Sequence, residues 1–147
     1  MKEQKKLSDY LHLYLGCDLY IHEQGETPFK SKFEAIDVTG RPIAKEYDHH
    51  ILWKFDEVKP ILRPLSDMTE DEFNEIKLEF SVDILNAYIS PATYHDRPWH
   101  VIVLENRLQT NTLKFNDGMI LLRKHFDLFG LIESGLAIDK TTYQQPL

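Results

Sequence analysis

The chain has 147 residues, 42% hydrophobic and 28% charged, a composition typical of one globular domain and not of a disordered chain. Its formal net charge of −7 disfavours sequence-independent binding to DNA or RNA phosphates. A single cysteine, Cys17, excludes an intrachain disulfide and a cysteine-based zinc cluster. No apolar signal segment follows the basic N-terminus, and no stretch is apolar enough to span a membrane. We expect a single cytoplasmic domain over residues 1–147, frayed at 141–147.

The first half of the chain is rich in strand signals. Ser8 precedes a short apolar helical pattern that Gly16 is placed to end. Alternation of apolar with polar residues, and the turn chemistry between these runs, predict strands at 18–22, 33–38, 43–47 and 49–55. Pro60 and Pro64 lack backbone donors, so the segment between them is predicted to be an edge strand or a docked extended piece.

A strong helix start follows these strands. Thr69 and Glu72 have the spacing of a capping box, and Met68 and Phe73 have that of a hydrophobic staple. Apolar residues then recur at helical spacing, which predicts one helix over 70–88. Its outer face carries four acidic residues: Asp71, Glu75, Glu79 and Asp83.

Two further elements are predicted in the second half of the chain. The apolar, β-branched run Trp99–Leu104 favours a central strand. Asn116 or Asp117 is predicted to cap the N-terminus of a last helix, and Gly130 fits the position after its C-terminus. The buried stripe of this last helix is predicted to hold Met119, Leu122, Phe126 and Phe129. Because strands come early and helices late, we predict an α+β fold, an N-terminal antiparallel sheet packed against two main helices of the C-terminal half.

Two stretches carry a family resemblance: KPILRPLSDMTEDEF, residues 59–73, and KHFDLFGLIESGLAIDK, residues 124–140. They are similar to stretches of small proteins encoded repeatedly in Bacteroidetes genomes and in their phages and prophages. The two stretches make up about a fifth of the chain, and their order also matches. The resemblance implies a protein of a mobile element or of its host cytosol. It implies no activity and no catalytic residue.

Histidines supply the candidate sites for chemistry. Asp48 and His50 lie two apart at a predicted strand end and would share one face, as two metal ligands would. The loop from Tyr94 to His100 places His95 beside Asp96, which is the pattern of a general base oriented by an acid. Exposed polar residues at a strand end and in a loop explain both patterns equally well.

Three other residues have a structural and a functional interpretation. Cys17 follows a predicted helix end, where the dipole disfavours a thiolate, so we expect a small buried side chain. Arg63 lies in an apolar segment between prolines, and Asp67 is its nearest candidate partner. A fold-stabilising ion pair is the interpretation we adopt for them.

No common catalytic or nucleotide-binding motif is present in the sequence, so we assign no catalytic, cofactor-binding or metal-binding residue and expect no cofactor. The first hypothesis is a non-enzymatic binding or accessory protein with a protein partner, from host or phage or a second copy. The alternatives are a small metal-dependent hydrolase that uses residues 48–50 and 95–100, and an acidic inhibitor that imitates nucleic acid through the face at 70–83. Direct nucleic-acid or membrane binding is not expected.

Overall fold

The computed structural model describes residues 4–85 and 97–143. Contacts divide them into two compact units. The strand unit comprises residues 4–63 and 129–143, and the helical unit comprises residues 64–85 and 97–128. Antiparallel strands dominate the N-terminal half and helices the C-terminal half, so the predicted α+β class is confirmed.

The described part of the strand unit contains two sheets, one with the strand order β2-β1-β6-β7 and one with the order β3-β4-β5. Their strands are β1 (Asp18–Ile21), β2 (Phe29–Lys32), β3 (Ala35–Ile36), β4 (Pro42–Glu46), β5 (His49–Leu52), β6 (Val58–Leu62) and β7 (Ile138–Asp139). All neighbouring strands in these sheets are antiparallel except β6 and β7. The strand predicted at 43–47 is β4, whereas the polar strand β2 was not predicted because its side chains show no apolar alternation.

The helical elements of the N-terminal segment are shorter than predicted. Two 3₁₀ turns, Leu7–Asp9 and Leu11–Tyr14, replace the helix predicted after Ser8. Gly16 then adopts a φ of 96°, which only glycine enters without strain, so its predicted role as a stop is confirmed. Its amide donates to the Phe33 carbonyl and so ties the segment to the start of the strand region.

The prediction that Pro60 lies in an edge strand is wrong, because β6 is an interior strand between β1 and β7. Pro60 is opposite Leu19 of β1, and the ladder to β7 begins one residue later, at Ile61. The Leu62 carbonyl accepts a bond from Lys140 on the β7 side, so Pro60, two residues earlier, also turns its backbone toward that side. Since β7 does not reach Pro60, the missing donor interrupts neither ladder.

The helical unit has an apolar core formed by α1 (Glu70–Ile76), α2 (Val82–Leu85), α3 (Trp99–Gln109) and α4 (Phe115–Arg123). The cap predicted at Thr69 is confirmed, since its hydroxyl accepts from the Glu72 amide at 3.0 Å. The core side chains include Leu65, Met68, Phe73, Ile76, Phe80, Ile84, Val103, Leu104, Ile120, Leu121 and Phe126.

The single helix predicted over 70–88 is wrong. α1 ends at Ile76, a 3₁₀ turn covers Lys77–Glu79, and Phe80 is extended with a ψ of 158° before α2 begins. The amide and hydroxyl of Ser81 both bond the carboxylate of Asp117, which holds the chain out of the helical path at that point. Residues 86–88 lie outside the described residues.

The segment predicted as a central strand at Trp99–Leu104 is instead the first part of α3. Its buried residues His100, Val101, Val103 and Leu104 fit the 3.6-residue period of a helix as well as a buried strand. Pro98 provides an extended residue before the helix, and α3 continues through the polar residues after Leu104 to Gln109. Asn111, with a φ of 57°, ends α3 in the left-handed conformation.

The predicted boundaries of the last helix are also wrong. Lys114 occupies the N-cap in place of Asn116 or Asp117, and Ile120 and Leu121 are buried instead of Met119 and Leu122. Phe126 is buried as predicted. α4 ends well before Gly130, because His125 adopts the left-handed φ of 64° and the amides of His125 and Phe126 bond back to Leu122 and Leu121.

The C-terminal tail, residues 141–147, was predicted to be frayed, but its first two residues are hydrogen-bonded to Asp139. The Asp139 side chain accepts bonds from the amide and hydroxyl of Thr141, and its carbonyl accepts from Thr142. Residues 144–147 lie outside the described part of the chain. The arrangement of the two units as one domain stays a prediction.

Candidate functional site

The first candidate site, Asp48 with His50, is not formed as the sequence suggested, because His50 contacts Glu34. Asp48 lies with Tyr47 in the two-residue turn between β4 and β5, and His49 and His50 are exposed on β5. The Nδ1 atom of His50 is 3.0 Å from a carboxylate oxygen of Glu34. The structure therefore gives His50 a neighbouring acid directly before β3, which matches the interpretation of an exposed polar strand end.

His100, the last residue of the second candidate, has a structural role. It is only 4% exposed, and its ring stacks on Phe73 with centroids 5.0 Å apart. Its Nε2 atom is 3.0 Å from the carbonyl oxygen of Met68, and because a carbonyl only accepts, Nε2 carries the proton and donates. This nitrogen is therefore not available to bind a metal. Tyr94, His95 and Asp96 lie outside the described residues.

The metal hypothesis has no assembled ligand set in residues 4–85 and 97–143, where no three histidine, cysteine or acidic side chains are placed to hold one ion. A site that includes His95 is outside those ranges, so the hydrolase hypothesis stays a prediction. The acidic inhibitor hypothesis depends on one continuous helix face. That face is interrupted, because α1 ends at Ile76 and Glu79 lies in a 3₁₀ turn.

Cys17 is fully buried, as predicted. Burial, with a smaller contribution from the charge of Asp18, raises the pKa of its thiol from 9.0 to about 12. This is the opposite of what a nucleophilic or metal-binding cysteine requires.

The thiol of Cys17 is expected to resist alkylation in the folded protein. Raising the pKa from 9.0 to about 12 lowers the thiolate fraction at pH 8 by about three orders of magnitude, before any steric protection. We expect iodoacetamide to label Cys17 at pH 8 only in urea, as mass spectrometry would show. Rapid labelling of the native protein, at the rate of a free cysteine, would contradict this burial.

Arg63 and Asp67 are both partly buried, which fits the fold-stabilising role predicted for them. Arg63 follows the last residue of β6, and Asp67 ends a 3₁₀ turn in which its amide donates to the Pro64 carbonyl. Their ion pair with each other stays a prediction.

The most unusual polar feature of the helical unit is Asp117, which is 1% exposed in the first turn of α4. Its two oxygens accept from the Ser81 amide at 2.8 Å and from the Ser81 hydroxyl at 2.7 Å. A buried carboxylate is costly unless it is hydrogen-bonded, and these two bonds, with the positive end of the α4 dipole, compensate it. Asp117 thus fixes the break between α1 and α2.

Large apolar side chains lie exposed on both sides of this link. Val82, next to Ser81, is 67% exposed, and Phe115, two residues before Asp117, is 80% exposed. Leu78, in the preceding 3₁₀ turn, is 85% exposed, but it lines a different cleft, together with Phe73 and Trp99. We call Val82 and Phe115, which flank this link, the Phe115 surface. A cleft of about 390 Å³ adjoins it and is lined by Glu79, Phe80, Ser81, Lys114, Phe115, Asn116 and Asp117.

Sequence reasoning identified Asp117 only as a possible cap of its own helix. The structure shows that its carboxylate instead bonds Ser81, which lies 36 residues earlier. The sequence contains no signal for the exposure of Phe115, because the cap predicted at Asn116 or Asp117 placed Phe115 outside the helix, whereas it is the first residue of α4.

Comparison with family models, with curated protein sequences and with solved structures finds no match. The described helices include none with the length and apolar character that crossing a membrane requires.

Proposed function

We propose that the protein is a non-enzymatic binding protein that engages a protein partner through the Phe115 surface. The observation that carries this proposal is the exposure of Phe115 and Val82 on either side of a buried, hydrogen-bonded carboxylate. Single exposed apolar residues are ordinary, but an exposed aliphatic and an exposed aromatic side chain that flank one buried link, with the aromatic at a cleft, are the kind of anchors that protein interfaces use.

The energetics of Asp117 support this proposal. A break between two helices requires only a turn residue such as glycine or proline, and a buried carboxylate is a more demanding solution. What the Ser81–Asp117 bonds add is a fixed position for Val82 relative to Phe115. Fixed side chains lose little entropy on binding, so a surface of this kind binds a partner more tightly than a mobile one.

We further propose that the protein acts in the bacterial cytoplasm as an accessory protein of a mobile element or phage. The support is the resemblance of residues 59–73 and 124–140 to proteins of Bacteroidetes and their phages. The partner would then be a host or phage protein, or a second copy of the chain. No observation favours the hydrolase or the nucleic-acid-imitating inhibitor over this proposal.

Site-specific photocrosslinking tests the proposal. We expect p-benzoylphenylalanine in place of Phe115, whose ring it extends, to crosslink one partner in cells of the source bacterium. The same substitution at Val38, a fully exposed apolar residue of the strand unit, is the matched control and is expected to give no such product. Equal crosslinking from both positions, or none from position 115, would contradict the proposal.

A further inference from the structure

A second cleft, of about 450 Å³, lies in the strand unit between the connection that precedes β2 and the turn between β4 and β5. It is lined by Glu26, Thr27, Pro28, Phe29, Glu46 and Tyr47. Its volume falls within the range of clefts that hold small ligands or single side chains with their flanking backbone. All six residues belong to the strand unit, so this cleft is not part of the Phe115 surface.

Two carboxylates line this cleft without a balancing cation. Among the described residues, neither Glu26 nor Glu46 forms an ion pair. Lys30, which follows Phe29 on β2, is directed to Asp18, with the charged atoms 4.0 Å apart. Two uncompensated negative charges at the walls of a concave site favour a positively charged occupant.

The other two large walls of the cleft are aromatic. The Phe29 ring is held by an edge contact with Trp53, with centroids 5.8 Å apart, and the Trp53 indole is fixed by a bond from Nε1 to the Ala44 carbonyl. Tyr47 is 90% exposed and has a φ of 56°, a backbone region that disfavours any residue with a Cβ atom. Aromatic faces beside carboxylates are the combination that binds planar organic cations.

We propose that this cleft binds the guanidinium group of an arginine presented by a segment of a partner protein. Guanidinium has five N–H donors for the two carboxylates and a flat face that stacks on Phe29 or Tyr47, whereas an ammonium group offers only a point charge. Glu26, Thr27 and Tyr47 are exposed, so the cleft is accessible from solvent and leaves room for the chain that carries the arginine.

An NMR titration of the isotopically labelled full chain tests this proposal. The probe is a capped pentapeptide with one arginine between glycines, and its twin carries citrulline, which has nearly the same shape without the charge. We expect saturable shifts of the amides of Glu26, Thr27, Phe29, Glu46 and Tyr47 with the arginine peptide alone. Glu46→Gln and Glu26→Gln are each expected to weaken binding about tenfold.

Two variants make the result specific. Glu133→Gln removes the same charge from an exposed position of the strand unit outside the cleft, and it is expected to change the affinity less than about twofold. Tyr47→Gly relieves the positive φ, so the protein is expected to remain folded, and it removes one aromatic wall, which weakens binding about fivefold.

Four results would overturn the proposal. One is equal binding of the citrulline peptide, and another is an affinity unchanged in both Glu26→Gln and Glu46→Gln. The third is an equal loss in Glu133→Gln, which would show general attraction to an acidic protein. Competition by spermidine as strong as by the arginine peptide would contradict guanidinium as the recognised group.

Discussion

Replacing Asp117 by alanine is expected to lower the free energy of unfolding by about 2–4 kcal/mol, because the Ser81 amide and hydroxyl lose their acceptors in a partly buried position. Chemical denaturation with urea measures this change. Asp117→Asn retains one acceptor oxygen for the Ser81 amide and is expected to lose about half as much. The order of the two variants is therefore part of the prediction.

Two substitutions at or next to the Ser81–Asp117 hydrogen bonds serve as controls for this prediction. Asn116→Ala changes the exposed neighbour of Asp117 and is expected to alter stability by less than about 0.5 kcal/mol. Ser81→Ala removes only the hydroxyl bond, so its cost is expected to be about 1 kcal/mol. If Asp117→Ala were as mild as Asn116→Ala, the buried carboxylate would not be what fixes the break between α1 and α2.

Replacing His100 by alanine is expected to cost about 2–4 kcal/mol of unfolding free energy. The substitution opens a cavity against Phe73, on which the imidazole stacks, and it leaves the Met68 carbonyl without its donor. Urea denaturation again supplies the measurement. This result would place His100 among the residues that stabilise the fold.

His49→Ala is the matched control for this substitution, because His49 is an exposed histidine on β5. Its effect on stability is expected to stay within about 0.5 kcal/mol. A His100→Ala variant as stable as the wild type would contradict the burial and bonding of this side chain, and it would return His100 to the candidates for chemistry.

Two features of the fold were predicted correctly from local signals in the sequence. The capping of α1 by Thr69 and the antiparallel return of β4 depend on residues within a few positions of each other, so both were predictable. The interruption of the helix at Ser81 was not, because it depends on a carboxylate 36 residues later in the chain. No pattern within the predicted helix contains that information.

The error at α3 has a different origin. A short apolar run with β-branched residues has no periodicity that separates a buried helix from a buried strand. The sequence signal that favours a helix was Leu108, which follows Leu104 by four residues and packs against the same core. The interior position of β6 likewise depends on β7, which joins it from the far end of the sequence.

The candidate sites were the least predictable part. Sequence patterns directed attention to histidines, but His50 pairs with Glu34 and His100 with the Met68 carbonyl. Exposure of Phe115 and the positive φ of Tyr47 are properties of the folded chain, and neither follows from composition or spacing. An exposed phenylalanine is unfavourable for packing, and a positive φ is unfavourable for the backbone of a tyrosine. Each of the two proposed sites contains one of these unfavourable features.

The affinity for the partner identified through crosslinking tests the central claim most directly. With purified partner, the Phe115→Ser variant is expected to bind at least about tenfold more weakly than the wild type, because a buried aromatic anchor contributes about 2 kcal/mol or more. Val38→Ser, which removes an exposed apolar side chain from the strand unit, is expected to bind like the wild type. An unchanged affinity in Phe115→Ser, or an equal loss in both variants, would contradict the assignment of binding to the Phe115 surface.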